Sequence, residues 1–191
     1  MSLTSRLATR TDLPLLLPVI EDAIAQLQRG FLNDAQIAAS RAIMGLDTQL
    51  IADKTYFVAE ADGEIAGCGG WSRRATLYGG DHSAGRDAAL LDPASEPAKV
   101  RAMYTHPAYA RRGVGRLILS LCEAAAAAEG FRVLELMGTM AGRPLYEAGG
   151  FVVVEHVSDR AGGVPVPLVR MRKQIVSVVD NRTSSQQDNR S

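Results

Sequence analysis

His106-Pro107-Ala108-Tyr109-Ala110-Arg111-Arg112-Gly113-Val114-Gly115-Arg116 is the stretch that decides how this chain folds. A β-rich run, Val100–His106, stops at Pro107, and a basic, glycine-containing loop follows. From Val114 onward Leu117, Ile118, Leu121, Cys122, Ala125 and Ala126 recur with the i, i+3, i+4, i+7 period of an amphipathic helix, closed by Gly130. The first N–H groups of a helix have no partner within it, and the macrodipole makes that end positive. Gly113 and Gly115 remove side chains there, while Arg111, Arg112 and Arg116 add charge. The segment therefore reads as a cradle for a phosphate or pyrophosphate. Two other phosphate loops do not fit: position 118 is Ile where a dinucleotide fingerprint needs a third glycine, and no Gly-Lys-Ser/Thr follows.

Upstream, Leu3–Ala8 reads as a short strand, and Thr11-Asp12-Leu13-Pro14 as a helix start. Leu16, Ile20, Ala23, Ile24 and Leu27 keep helical spacing up to Gly30. A second helix is expected from the cap Asn33 to Gly45, with Ile37, Ala38, Arg41 and Met44 on one side. Thr55–Glu60 and Ile65–Ser72 form a hairpin about Asp62-Gly63. Glycines 67, 69 and 70 weaken its second strand unless something packs closely on the backbone. Residues 74–97 form a polar, Gly-rich insertion, a length of loop that is usually functional or mobile. Downstream come a strand, Phe131–Met137, a short helix, Arg143–Ala148, ending at Gly149-Gly150, and the strands Phe151–His156 and Val164–Arg172 as an antiparallel pair across Asp159–Gly163. From about Gln174 the composition turns polar, as in a frayed tail.

The 191 residues, 47% hydrophobic and 22% charged, suit one domain with a sizeable core. Twenty-one basic residues balance 21 acidic ones, which argues against a nucleic acid or an anionic membrane as the main partner. The apolar stretches near Leu13–Ile20 and Leu117–Ala128 fall short of the ~20 residues a bilayer requires. Cys68 and Cys122 make no metal spacing and no disulfide framework, so a cytoplasmic protein with reduced thiols and no metal is the expectation.

The cradle, the strand after its helix, and Pro144-Leu145-Tyr146-Glu147-Ala148-Gly149-Gly150-Phe151 together resemble the GNAT superfamily of acetyl-CoA-dependent N-acyltransferases. The order of elements agrees from about Leu3 to Lys173. The resemblance implies an α/β (α+β) fold: a mixed, mostly antiparallel central sheet with a splayed parallel strand pair and helices on both faces. It implies a single domain over residues 1–173, with 174–191 as a polar tail. Two departures stand out. Ala110 occupies the slot where the family usually has Gln or Arg, and the loop Gly138-Thr139-Met140-Ala141-Gly142 lacks the Asn many members carry.

By resemblance, Met103, Tyr104 and Thr105 offer backbone groups to the pantetheine of acetyl-CoA, and residues 111–116, Val114 included, hold its diphosphate. An acceptor amine then attacks the thioester directly. Tyr146 stands at the family's general-acid position; its ordinary pKa near 10 suits stabilising a departing thiolate whose conjugate acid lies near ~8.5. Glu135, in the apolar run Val133-Leu134-Glu135-Leu136-Met137, is a candidate base, against the reading of a paired or solvent-facing carboxylate. His106, Glu60, Asp81, His82 and Glu96 are further candidates, and Trp71 is a candidate lining for the acceptor pocket. The expected partner is a small-molecule or protein amine, and a homodimer is compatible with such a domain. A non-catalytic acyl-CoA sensor, or an interaction module that inherited the fold, remain as alternatives.

Overall fold

Asp62 (φ 53°) and Gly63 (φ 84°) both take left-handed backbone, and so close β2 (Tyr56–Ala61) tightly against β3 (Glu64–Ser72). Around this hairpin a computed structural model, which describes residues 2–176, builds one seven-stranded sheet in the order β1-β2-β3-β4-β5-β7-β6. The remaining strands are β1 (Leu3–Leu7), β4 (Ala98–Thr105), β5 (Val133–Thr139), β6 (Val152–Asp159) and β7 (Val166–Gln174). The helices are α1 (Leu13–Leu27), α2 (Asp34–Ser40), α3 (Thr48–Ala52), α4 (Val114–Ala128) and α5 (Arg143–Ala148).

Every neighbouring pair is antiparallel except β4 and β5. Those two run parallel and pair only at Ala98–Leu134 and Lys99–Glu135 before they separate. Alternation along β2 divides the core: Tyr56 and Val58 pack with α1 on one face, and Ala59 and Ala61 with α4 on the other. The mostly antiparallel sheet, the splayed parallel pair and the helices on both faces are thus as expected.

The glycines of β3 let α4 approach. A Cβ on Gly67 would lie 2.5 Å from Val114 Cγ1 and 2.8 Å from the Tyr104 carbonyl oxygen. Opposite Gly69, β4 carries an extra residue, with Ala102 at φ 51°. This bulge re-aims the strand just where it leaves β5, and Tyr56 Oη donates to the Ala102 carbonyl at 2.9 Å.

Three expectations need correcting. The second helix ends at Ser40 rather than Gly45, and buries Ile37, Ala39 and Ser40 rather than Ala38. Ser40 Oγ takes a bond from Gln28 Nε2 and donates to the Ile37 carbonyl, so the helix turns that edge inward. The segment after it forms α3, capped by Asp47, which short apolar spacing did not signal. The final strand continues to Gln174, and Ile175 N donates to the Arg132 carbonyl at 2.8 Å. The rest of the expected tail, residues 177–191, lies outside the described residues.

The insertion is pinned at several points. Arg74 pairs with Asp53, Arg86 with Asp47, Tyr78 Oη donates to Asp159, and Ser83 Oγ to the Ala42 carbonyl. Gly67→Ala is expected to cost about 1–3 kcal/mol of stability through overpacking, with no change in surface exposed on unfolding. Urea unfolding checks it: a lower midpoint at constant slope is the expected result.

Candidate active site

The fork between β4 and β5 opens into a cavity of about 840 Å³ that runs from the N-terminus of α4 to the inner side of α1. At the α4 end the backbone does what the sequence leads one to expect. Gly113 caps the helix with left-handed geometry (φ 88°) and no side-chain cap, and Arg111 before it is also left-handed (φ 61°). A Cβ on Gly113 would meet nothing within 4 Å, so no neighbouring group closes over the start of α4 at this residue. Gly115 has a different purpose: its Cβ would fall 2.6 Å from Leu145 Cδ2, so its bareness seats α5.

Met103, Tyr104, Thr105, Arg111, Gly113, Val114, Gly115, Arg116 and Tyr146 all line this one cavity. Arg112 is not part of its wall; its guanidinium lies over the Tyr109 ring, 5.9 Å from the centroid. Tyr104 is anchored from across the cavity: its hydroxyl accepts from Gly45 N at 2.8 Å and donates to the Gly45 carbonyl at 3.2 Å. Tyr146 is held edge-on against Phe151, with its ring over Gly138 and Gly142. Burial raises its hydroxyl well above the ordinary tyrosine value, so it keeps its proton throughout the neutral range. Cys68 also lines the cavity, and burial pushes its thiol up to about 12 against a lowering bond from Tyr56. It therefore stays a thiol, not a thiolate nucleophile.

Glu135 stands elsewhere. It sits on the last paired rung of the fork, 4% exposed, bonded to Lys99 at 2.7 Å and to Arg170 and Arg172. Burial alone would raise its carboxyl, but Lys99 and Arg172 more than offset this and hold it below the usual carboxylate value. It is held ionised by these partners and is not among the residues that line the cavity. Trp71 is likewise removed: 2% exposed, it packs edge-on against Phe131 with Arg73 over its ring. Glu60 pairs with Arg6, Asp81 accepts from Thr48 N, His82 bonds the Arg41 carbonyl, Glu96 accepts from Asp92 N, and His106 Nδ1 caps the turn at Ala108. None of these five lines the cavity.

The reading of the sequence missed the far arm of the cavity, where Gln28, Met44, Tyr78 and Arg101 converge from four segments distant in the chain. Only Tyr78, inside the insertion, carried any signal. Among the described residues no group of three or more His, Cys, Asp or Glu is placed to hold a metal ion. Likewise no helix is long and apolar enough to cross a membrane.

A sheet forked at its one parallel pair, with open helix amides on one side of the fork, defines a class of acyl-group transferases. A sequence model of the acetyltransferase (GNAT) domain matches residues 52–153, more than half of the chain, and the chain belongs to this family. Solved structures share the fold. A GCN5-related N-acetyltransferase from Rhodopseudomonas palustris is 17% identical, with a TM-score of 0.67, over 91% of this chain and 96% of that one. The paia N-acetyltransferase of Thermoplasma acidophilum, solved with coenzyme A, is 16% identical, with a TM-score of 0.61, over 91% and 99%. yncA of Salmonella typhimurium, solved with its cofactor acetyl-CoA, is 20% identical, with a TM-score of 0.60, over 93% and 96%. A search of curated proteins by sequence finds no match.

Gly113→Glu, which fills and charges the open end of the cavity, is expected to weaken coenzyme A binding at least a hundredfold in calorimetry. Gly113→Ala carries the same left-handed strain, about 1 kcal/mol, without the charge, and should keep most of the affinity. Glu135→Gln should leave turnover near wild type while costing about 3 kcal/mol of stability, because Lys99 loses its counter-charge. A carboxyl whose folded pKa is depressed stabilises above its unfolded value and loses that contribution as pH falls through the folded one. The gap in melting temperature between wild type and Glu135→Gln should therefore be full at pH 7 and narrow below about 4.5.

Proposed function

We propose that this protein moves an acetyl group from acetyl-CoA to a primary amine of a small molecule or protein, by direct attack and within the single domain of residues 1–173. The observation that carries this reading is the continuity of the cavity, which joins the amides of α4, the opened edge of β4 and the ring of Tyr146 in one space. The residues present suit coenzyme A. First-turn N–H groups at Gly113–Arg116, supplemented by Arg111 and Arg116, would take the diphosphate. Bonds to a charged group are worth ~1.5–3 kcal/mol each, so a few of them account for micromolar affinity. The unpaired edge at Met103–Thr105 would take the pantetheine amides as an added strand would. Acetyl-CoA supplies an activated acyl carbon and a thiolate leaving group; the chain has to orient it and supply a proton.

Tyr146 is suited to the second task. Its hydroxyl stays protonated, its ring is clamped by Phe151 and the backbone at Gly138 and Gly142, and it stabilises a departing thiolate by hydrogen bonding. Cys68 remaining a thiol supports direct attack over an acyl-cysteine intermediate. Deprotonating an amine of pKa near ~10.4 at pH 7 costs about 4–5 kcal/mol. No Asp, Glu or His among the described residues lines the cavity to take that proton, so it passes to water. The two buried free thiols, Cys68 and Cys122, suit a reducing, cytoplasmic setting.

Tyr146→Phe is expected to lower kcat at least tenfold while leaving the acetyl-CoA dissociation constant within about twofold. Thiol release and calorimetry on the same preparation check it. Binding of acetyl-CoA with no thiol release from any amine, in the wild type, would favour the sensor alternative.

A further inference from the structure

We infer that the acceptor is a hydrophobic monoamine, a primary amine on an apolar body with no second cationic group, bound through Gln28. This rests on the acetyltransferase reading and names the substrate class that reading leaves open. The arm of the cavity beyond the fork is walled by Leu27, Phe31, Ile43, Met44, Leu77 and Leu168. Phe31 is 54% exposed with its large apolar ring unburied, which suits an apolar ligand more than water.

Charge points the same way. The formal charges on the cavity wall are the arginines 101, 111 and 116, and no carboxylate among the described residues accompanies them. Arg101 belongs to this arm; it is 4% exposed, ion-pairs with Asp47 at 2.6 Å and donates to the Gly79 carbonyl at 2.6 Å. Asp47 also pairs with Arg86, so the trio carries one net positive charge. A polyamine or a lysine-rich peptide would bring a second ammonium into an apolar space beside this cation, losing hydration without gaining a counter-charge. An apolar body, by contrast, gains ~25 cal/mol for each Å² it buries.

Besides Arg101 and Tyr78, Gln28 brings a polar group to this wall. Gln28 is 3% exposed, and its Nε2 donates to Ser40 Oγ at 2.9 Å and to the Ile24 carbonyl at 3.3 Å. Both donors of the amide are thereby committed, its orientation is fixed, and Oε1 is left buried without a partner. A neutral amine attacking through its lone pair still has two N–H groups, and one of them satisfies this oxygen. One carboxylate, Asp159, stands directly behind the wall, where it accepts from the Tyr78 hydroxyl at 2.8 Å. Glu21, Asp81 and His82 lie across Met44 and Gly45 in a second cavity, and each is engaged: Glu21 by Arg41, Asp81 by Thr48 N, His82 by the Arg41 carbonyl.

The test is steady-state acetylation of 2-phenylethylamine, hexylamine, putrescine, spermidine and a lysine-containing peptide, with calorimetry of acetyl-CoA. We expect kcat/KM for 2-phenylethylamine at least tenfold above that for spermidine, and Gln28→Leu to raise the amine KM fivefold or more with the acetyl-CoA KM unchanged. Should Gln28→Leu fail to fold, Met44→Glu, on a half-buried wall position, supplies the missing carboxylate and is expected to shift the preference at least fivefold toward spermidine. A wild-type preference for spermidine or the peptide overturns the inference, as does an unaltered ratio in Met44→Glu or no turnover of either apolar amine while acetyl-CoA binds. In each of those cases bound acetyl-CoA leaves the acetyltransferase reading standing; absence of acetyl-CoA binding by the wild type removes that reading itself.

Discussion

Parallel strands that stay paired leave no room between them, and the whole site depends on β4 and β5 abandoning each other after two rungs. Three features frame the separation. The ion pair of Lys99 and Glu135 ties the strands at the last shared rung, with Arg170 and Arg172 neutralising the buried carboxylate from β7. The bulge at Ala102 turns β4 away immediately beyond that rung, and the Tyr56 hydroxyl holds the bulged carbonyl in place. Backbone that would have continued a ladder thus faces a cavity, where an extended ligand can replace the missing strand. Glu135 thus marks the base of the fork and serves stability without lining the cavity.

The second constraint is closeness. α4 can deliver its amides to the mouth of the fork only because β3 offers bare backbone beneath it, with Val114 seated over Gly67 and Ile118 over Gly69. Gly115 gives up its side chain to Leu145 of α5, which brings Tyr146 to the same space. Helix, sheet and last helix are packed at van der Waals distance, so the cradle and the tyrosine keep a fixed relation to the opened strand edge.

The formal charge of zero conceals a spatial separation. Carboxylates are spent on structural pairs: Asp12 with Arg6, Asp53 with Arg74, Asp47 with Arg86 and Arg101, Glu129 with Arg73. Among the described residues that line the cavity, the formally charged ones are arginines, 101, 111 and 116, which makes its field positive.

The sequence by itself determined the elements and the glycine-capped start of α4. Helical and alternating apolar periods, the Asp62-Gly63 turn and the run from His106 to Arg116 are local signals, because hydrogen bonds of turns and helix ends form between residues close in the chain. The placement of Tyr146 beside the cradle was also legible, through a second local motif. Tertiary structure alone decided the rest. Glu135 sits in an apolar strand in either role, and only its long-range partners, Lys99 and Arg172, make it an ionised anchor. Trp71 became core because Phe131 lies against it. The far arm of the cavity unites α1, the segment after α2, the insertion and β7, and no local pattern records contacts made across more than a hundred residues of chain. Burial and counter-charge are properties of neighbours in space, and a single sequence read along its length does not contain them.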